Sequence, residues 1–184
     1  PCEGGGNPFG LDSIEACIRE PAGQDTICYG IDLARKRDWT VVVGISADGQ
    51  VTELHRWQSD WGETVERIAR VIGANAALVD ATGVGDPIVQ ALQQRGLAVQ
   101  PFVFSSPSKQ ALMSRLAMSI QRNEVSFPDG VLVDELKTFG YEATRTGVVY
   151  SAPSGMHDDC VCALALAVHH WHHSHLHAPE ARWI

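Results

Sequence analysis

Apolar residues recur along this chain with two different periods. "TICYGIDLA" and "WTVVVGISADGQVTELHRWQ" are rich in β-branched residues and carry an Asp-Gly turn at 48–49, which predicts three strands in an antiparallel meander. "WGETVERIARVIG" then shifts to a helical period, with Val65, Ile68, Ala69 and Ile72 on one face. "AALVD" reads as a short buried strand, "GDPIVQALQQRG" as a helix closed by Gly96, and "LAVQPFVF" as a further strand. A long Ser-capped helix follows in "SPSKQALMSRLAMSIQRNEVSFP", running into a short extended piece, and "DGVLVDELKTFG" is another helix. "YEATRTGVVYSAP" predicts a hairpin around Thr-Gly, and "HDDCVCALALAVHHW" the final helix. Residues 1–24 read as an arm, with a short amphipathic helix in "LDSIEACIRE" that places Leu11, Ile14 and Ile18 on one face. Residues 25–173 then form the domain proper and 174–184 a tail, with no internal repeat. The expected fold is α/β: a mixed sheet, meander plus parallel strands, with helices on both faces.

Composition narrows the class. With 184 residues, 45% hydrophobic and 20% charged, the chain is expected to be one soluble globular domain. No uncharged apolar run approaches the ~18 residues of a membrane span, so no membrane partner is expected. The start, "PCEGGGNPFG", lacks a signal-peptide pattern and an initiator Met, as expected of a piece of a longer protein. The 5 cysteines (Cys2, Cys17, Cys28, Cys160, Cys162) show no CxxC pair and read as small core or linker residues of a reducing cytosol. A net charge of −8 speaks against a nucleic-acid partner, unless clustered acids hold divalent cations that restore positive charge locally.

Two acids contradict their surroundings. Asp32 ends the apolar strand "YGIDLA" and Asp80 ends "AALVD", where an uncompensated carboxylate is costly to bury. With the first strand central and the Asp80 strand parallel beside it, both end at one sheet edge. The final helix can deliver Asp158 or Asp159 to the same place, where its dipole favours negative charge. Three or four carboxylates gathered without a basic residue between them call for divalent metal, Mg²⁺ or Mn²⁺. Two such ions about 4 Å apart suit in-line phosphodiester hydrolysis.

With "GIDLARKRDWTVVVGI", "LVDATGVGDPIVQAL", "SKQALMSRLAMSIQRNEVSFP", "LVDELKTFGYE" and "GMHDDCVCALALA" in this order, residues 28 to about 170 resemble the nuclease domain of tailed-phage large terminases. The resemblance implies a ribonuclease H-like fold and metal-dependent endonuclease cleavage of concatemeric double-stranded DNA during genome packaging. It also implies two Mg²⁺ or Mn²⁺ ions, an upstream ATPase domain, portal and small-terminase partners, and a place in the cytoplasm of the infected host bacterium. Asp32, Asp80, Asp158 and Asp159 would be its catalytic metal ligands; the middle acid is Asp80 where some relatives carry Glu. Alternatives of the same fold are resolvase- or transposase-like nucleases and a non-catalytic docking module. A sugar-kinase or actin-like ATPase would need two duplicated halves, which the chain lacks.

Simpler readings stand beside these. Asp32 can be a strand-end turn residue, Asp80 an Asx-turn acceptor, and Asp158 or Asp159 an N-cap, though one cap does not explain two acids. Asp38 and Asp86 are weaker metal candidates: Asp38 is read as orienting the hairpin, and Asp86 before Pro87 as an N-cap. Thr82, Gly83 and Gly85 form a tight loop able to approach a phosphate. Arg35, Lys36, Arg37, Lys109 and Arg145 are candidate DNA contacts or solvated charges, with Lys109 able to reach a phosphate at the metal site. His157 is either a neighbour that supports the acids or a helix-start residue. The run His169, His170, His172, His173, His175 and His177 is expected to be a solvated tail with incidental metal affinity.

Overall fold

A computed structural model describes residues 6–34, 39–82, 85–145 and 147–176, except for the side chains of 85, 86, 142–144, 175 and 176. After a short helix α1 (Leu11–Ala16) come three strands, β1 (Thr26–Asp32), β2 (Thr40–Ser46) and β3 (Val51–Trp57). They are followed by α2 (Trp61–Ile72), β4 (Ala76–Asp80), α3 (Gly85–Gln94) and β5 (Val99–Phe102). Helices α4 (Ser106–Gln121) and α5 (Val131–Thr138), a hairpin of β6 (Gly140–Thr144) and β7 (Gly147–Ser151), and α6 (Asp159–Leu176) complete the described chain.

Five strands form one sheet in the order β3-β2-β1-β4-β5. β1 is antiparallel to β2 and parallel to β4, with Ile31 beside Val79, and β4 is parallel to β5. This is the mixed ribonuclease H-like sheet that the element order predicts. Strand alternation divides the core in two. Cys28, Val41, Val43, Ile45 and Leu78 meet α1, α4, α5 and α6 on one face. Tyr29, Ile31, Val42, Ala77 and Val79 meet Val65, Ile68 and Ile72 of α2 and Ile88, Val89 and Leu92 of α3 on the other. By the same parity Asp32 follows Cys28, and Asp80 follows Leu78, onto the α6 face.

The helix that carries the last two acids is seated at one glycine. A Cβ on Gly30 of β1 would lie 2.1 Å from Ala163 O and 2.3 Å from Ala167 N, so α6 backbone rests directly on the central strand. Residues 160–168 are all buried, as expected of a helix that is apolar on every side.

Several expectations are corrected. Leu11 is 54% exposed, and the buried face of the N-terminal segment is instead Phe9, Ile14 and Cys17. That segment is tied into the core: Asn7 Nδ2 donates to Leu136 O and Lys137 O, and Ile18 bridges Phe127. The histidine run is not a solvated tail as far as it is described. It continues α6 beyond residue 173, with His172 bonded to Ser119 Oγ at 2.9 Å. Burial lowers the His169 pKa to about 4, with His173 the next contributor, so this ring is neutral at pH 7. His177 and Asp38 lie outside the described residues. Helix α3 begins at Gly85, which puts Asp86 within its first turn and not at the cap.

Candidate metal centre

Asp32 and Asp80 sit at the C-terminal ends of neighbouring parallel strands and are 9% and 8% exposed. Asp158 and Asp159 enter from the start of α6. All four line one cavity of about 260 Å³, together with Leu33, Phe104, Lys109 and Cys162. Lys109 is the only basic side chain among the described residues lining it.

Each acid is held differently. Asp80 Oδ1 accepts from Thr82 N at 2.8 Å, and Thr82 Oγ1 accepts from Phe104 N at 2.7 Å. The turn reading of Asp80 therefore holds, and the turn orients the carboxylate without removing it from the cavity. Asp158 occupies the N-cap position of α6, its carbonyl accepting from Cys162 N, while its Oδ2 lies 3.5 Å from Lys109 Nζ. Asp159 is the first helical residue, and its side chain is 14% exposed against 27% for Asp158. His157 Nδ1 is 3.5 Å from Asp159 Oδ2 on the outer side, where His157 lines an adjoining cavity with Arg56, Glu135 and Met156.

Burial pushes the Asp32 carboxyl well above the ordinary carboxylate range, and Asp80, Asp159 and Asp158, in that order, push it further; Lys109 opposes them. Burial works against the Lys109 ammonium, but Cys162, Asp158 and Asp32 outweigh it, so its pKa is raised. Among the described residues lining the cavity, four carboxyl groups face one ammonium. The donor set is hard oxygen on strand ends and a helix start, and it fits Mg²⁺ or Mn²⁺. Among the described residues no three His, Cys, Asp or Glu side chains stand close enough together, as placed, to hold a metal ion. The carboxylates instead line an open cavity with room for water or phosphate oxygens, as magnesium sites commonly do.

Not every candidate gathers here. Arg145 lies in the exposed turn between β6 and β7 and does not line the cavity. Arg35, Lys36, Arg37 and Gly83 lie outside the described residues. One side chain escaped the sequence reading. Glu135 of α5, 6% exposed, accepts from Cys160 N at 2.7 Å and Val161 N at 3.3 Å, capping α6 from a distance. Its signal was an acid on an apolar face, three residues after buried Leu132 and four before buried Phe139.

No protein-family model matches the chain. It is 34% identical over 148 residues to the large terminase subunits of Thermus phage G20c and Thermus virus P23-45, covering 76% of this chain and 30% of each of those proteins. The chain thus spans about a third of the length of the curated relatives it matches. The crystal structure of the large terminase nuclease from thermophilic phage G20c with bound magnesium superposes with a TM-score of 0.79 at 28% identity, over 92% of this chain and 98% of that one. The cobalt-bound form matches to the same extent. The HK97 bacteriophage large terminase shares the fold, with a TM-score of 0.72 at 16% identity over 89% of this chain and 43% of its own.

Proposed function

Given that the chain belongs to the nuclease-domain family of phage large terminases, we propose that it is a Mg²⁺- or Mn²⁺-dependent endonuclease that cuts double-stranded viral DNA during packaging. The observation that carries this is the convergence of Asp32, Asp80, Asp158 and Asp159, from three separate elements, on one cavity that Lys109 also lines. Residues 25–173 are the proposed catalytic unit. In the whole protein an ATPase domain would precede it, with the portal and small terminase as partners, in the cytoplasm of the infected host.

Asp32 and Asp80 would hold the metal pair from the sheet, and Asp159 from the helix. When bound, two divalent ions supply the charge that favours attack of water on phosphorus and departure of the ester oxygen. The chain's own residues do the rest. Strand ends and the Thr82 turn fix the carboxylates, so little reorganisation is needed as charge develops. Lys109 faces Asp158 across the cavity and can meet a non-bridging phosphate oxygen. Leu33 and Phe104 give the cavity an apolar rim that strengthens these interactions.

Incubation of the purified chain with supercoiled plasmid in Mg²⁺, Mn²⁺ or EDTA tests the proposal. Conversion to open-circle and linear forms only with metal is the expected result, and intact plasmid under every condition would overturn it.

The two helix acids should separate in the same assay. Asp159 is the more buried and contributes more to the field at Asp32. Asp159→Asn is therefore expected to be as inactive as a loss of Asp32, while Asp158→Asn keeps residual cleavage that rises with Mn²⁺ concentration. The opposite ranking would give Asp158 the direct ligand role.

DNA affinity of the chain alone is expected to be weak and steeply salt-dependent. A net charge of −8 opposes phosphate approach, and only the metal site and scattered basic residues favour it. Fluorescence anisotropy with a labelled duplex checks this; nanomolar binding in EDTA at physiological salt contradicts it.

A further inference from the structure

The first N–H groups of a helix need acceptors, and the N-cap side chain ordinarily takes those of the second and third residues. In α6 the N-cap is Asp158, and those residues are Cys160 and Val161. Yet the Asp158 carboxylate faces Lys109 in the cavity. Both amides are taken instead by Glu135 Oε2, at 2.7 and 3.3 Å, from another helix and 25 and 26 residues away in the chain.

A Ser, Thr or Asn at 158 would cap the helix without adding a charge. Glu135 is 6% exposed, and its Oε1 has no hydrogen-bond partner among the described residues. For a local cap this is a costly arrangement. What it achieves is to spare Asp158 the amides of Cys160 and Val161, so that its carboxylate can face the cavity beside that of Asp159.

We propose that Glu135 is a positioning residue for the metal centre: by capping α6 from α5 it sets the register and direction in which Asp158 and Asp159 are presented. The proposal rests on the nuclease reading above. The short contact is a charge-assisted hydrogen bond of the kind that fixes geometry, and outer partners of metal ligands typically contribute about 10–100-fold to affinity or activity.

Three variants, Glu135→Ala, Glu135→Asp and Glu135→Gln, test it through three readouts: amide hydrogen exchange by NMR, Mn²⁺ affinity by calorimetry, and cleavage kinetics. In Glu135→Ala the Cys160 and Val161 amides should exchange at least about tenfold faster, with Val42 and Ile68 unchanged. Mn²⁺ affinity and kcat should fall about 10–100-fold while KM for DNA stays put. Glu135→Gln keeps an acceptor oxygen at the same reach and should recover most of each. Glu135→Asp keeps the charge but falls one methylene short, and should resemble Ala. An Ala variant with unaltered exchange and Mn²⁺ affinity overturns the proposal alone. A wild-type chain that binds no Mn²⁺ overturns the nuclease reading and this proposal with it. Should Ala fail to fold, the Asp and Gln pair decides: impaired Asp beside near-normal Gln supports the role, and the reverse ranking refutes it.

Discussion

Asp32→Asn is expected to abolish metal-dependent cleavage while making the metal-free protein more stable. The loss follows from the position of Asp32 at the end of the central strand, where it shares one cavity with the other three acids. Removing a proposed metal ligand would forfeit several kcal/mol of charge stabilisation, and at about 1.4 kcal/mol per factor of ten this is roughly a 10³-fold loss or more. The gain in stability has the opposite origin. Burial and then Asp80, Asp159 and Asp158 raise the Asp32 pKa in the folded state. An acid raised on folding binds more protons folded than unfolded. Its ionisation therefore destabilises the fold progressively as pH rises from the ordinary carboxylate value to the raised one. Asn removes that penalty. In EDTA, wild-type stability should fall between pH 4 and neutrality more steeply than that of the variant. Near pH 7 the variant should melt higher, by about 2–4 °C for each kcal/mol regained. Mn²⁺ should reverse the order by stabilising the wild type alone. Thermal melts with and without Mn²⁺, run beside the plasmid assay, check both halves. Substantial cleavage by Asp32→Asn in Mn²⁺ would remove Asp32 from the metal site.

Gly30→Ala is expected to damage the whole molecule through a single methyl group. That Cβ would stand 2.1 Å from Ala163 O and 2.3 Å from Ala167 N, both backbone atoms of α6, with no flexible side chain to yield. Helix and strand must part, which puts the cost at about 3 kcal/mol, the upper end for an overpacked core. For a chain of this size that is a fall in Tm of roughly 6–12 °C. Activity should fall further than stability alone explains, because β1 carries Asp32 and α6 carries Asp159. A misplacement of about 1 Å can cost about 10²-fold. Gly62→Ala is the control: its Cβ would meet only Asp60 Oδ1, at 3.4 Å, so its melt should match or exceed wild type. A Gly30→Ala protein with unchanged Tm would refute this account of how α6 docks.

The sheet and its two interior acids were legible because strand patterning is local. Alternation over 28–32 and 76–80 tells which side of a strand a residue takes, and an acid in such a run stands out against the cost of burying it. The Asp-Gly turn and the change from a period of two to one of 3.6 are equally local, and they placed every strand and helix in order. The N-terminal segment shows where this stops. Leu11 has the spacing of a core residue, but the helix ends at Ala16, and Phe9 and Cys17 fill the core in its place. The histidines likewise read as a polar tail from composition, whereas α6 carries His172 onto Ser119 of α4.

What the sequence determined by itself was the chemistry available: four carboxylates at element ends, in an order that can bring them together. The tertiary structure decided how each is used. Lys109 and Asp158 are 49 residues apart and Glu135 and Cys160 are 25, and their pairing depends on how α4 and α5 pack against α6. No periodicity encodes such a pair, because hydrogen bonds and ion pairs between elements are set by interlocking side chains once the core has closed. Two adjacent aspartates at a helix start read as a cap and a ligand from sequence; in the fold, a distant glutamate takes the amides of Cys160 and Val161, and both aspartates line the cavity.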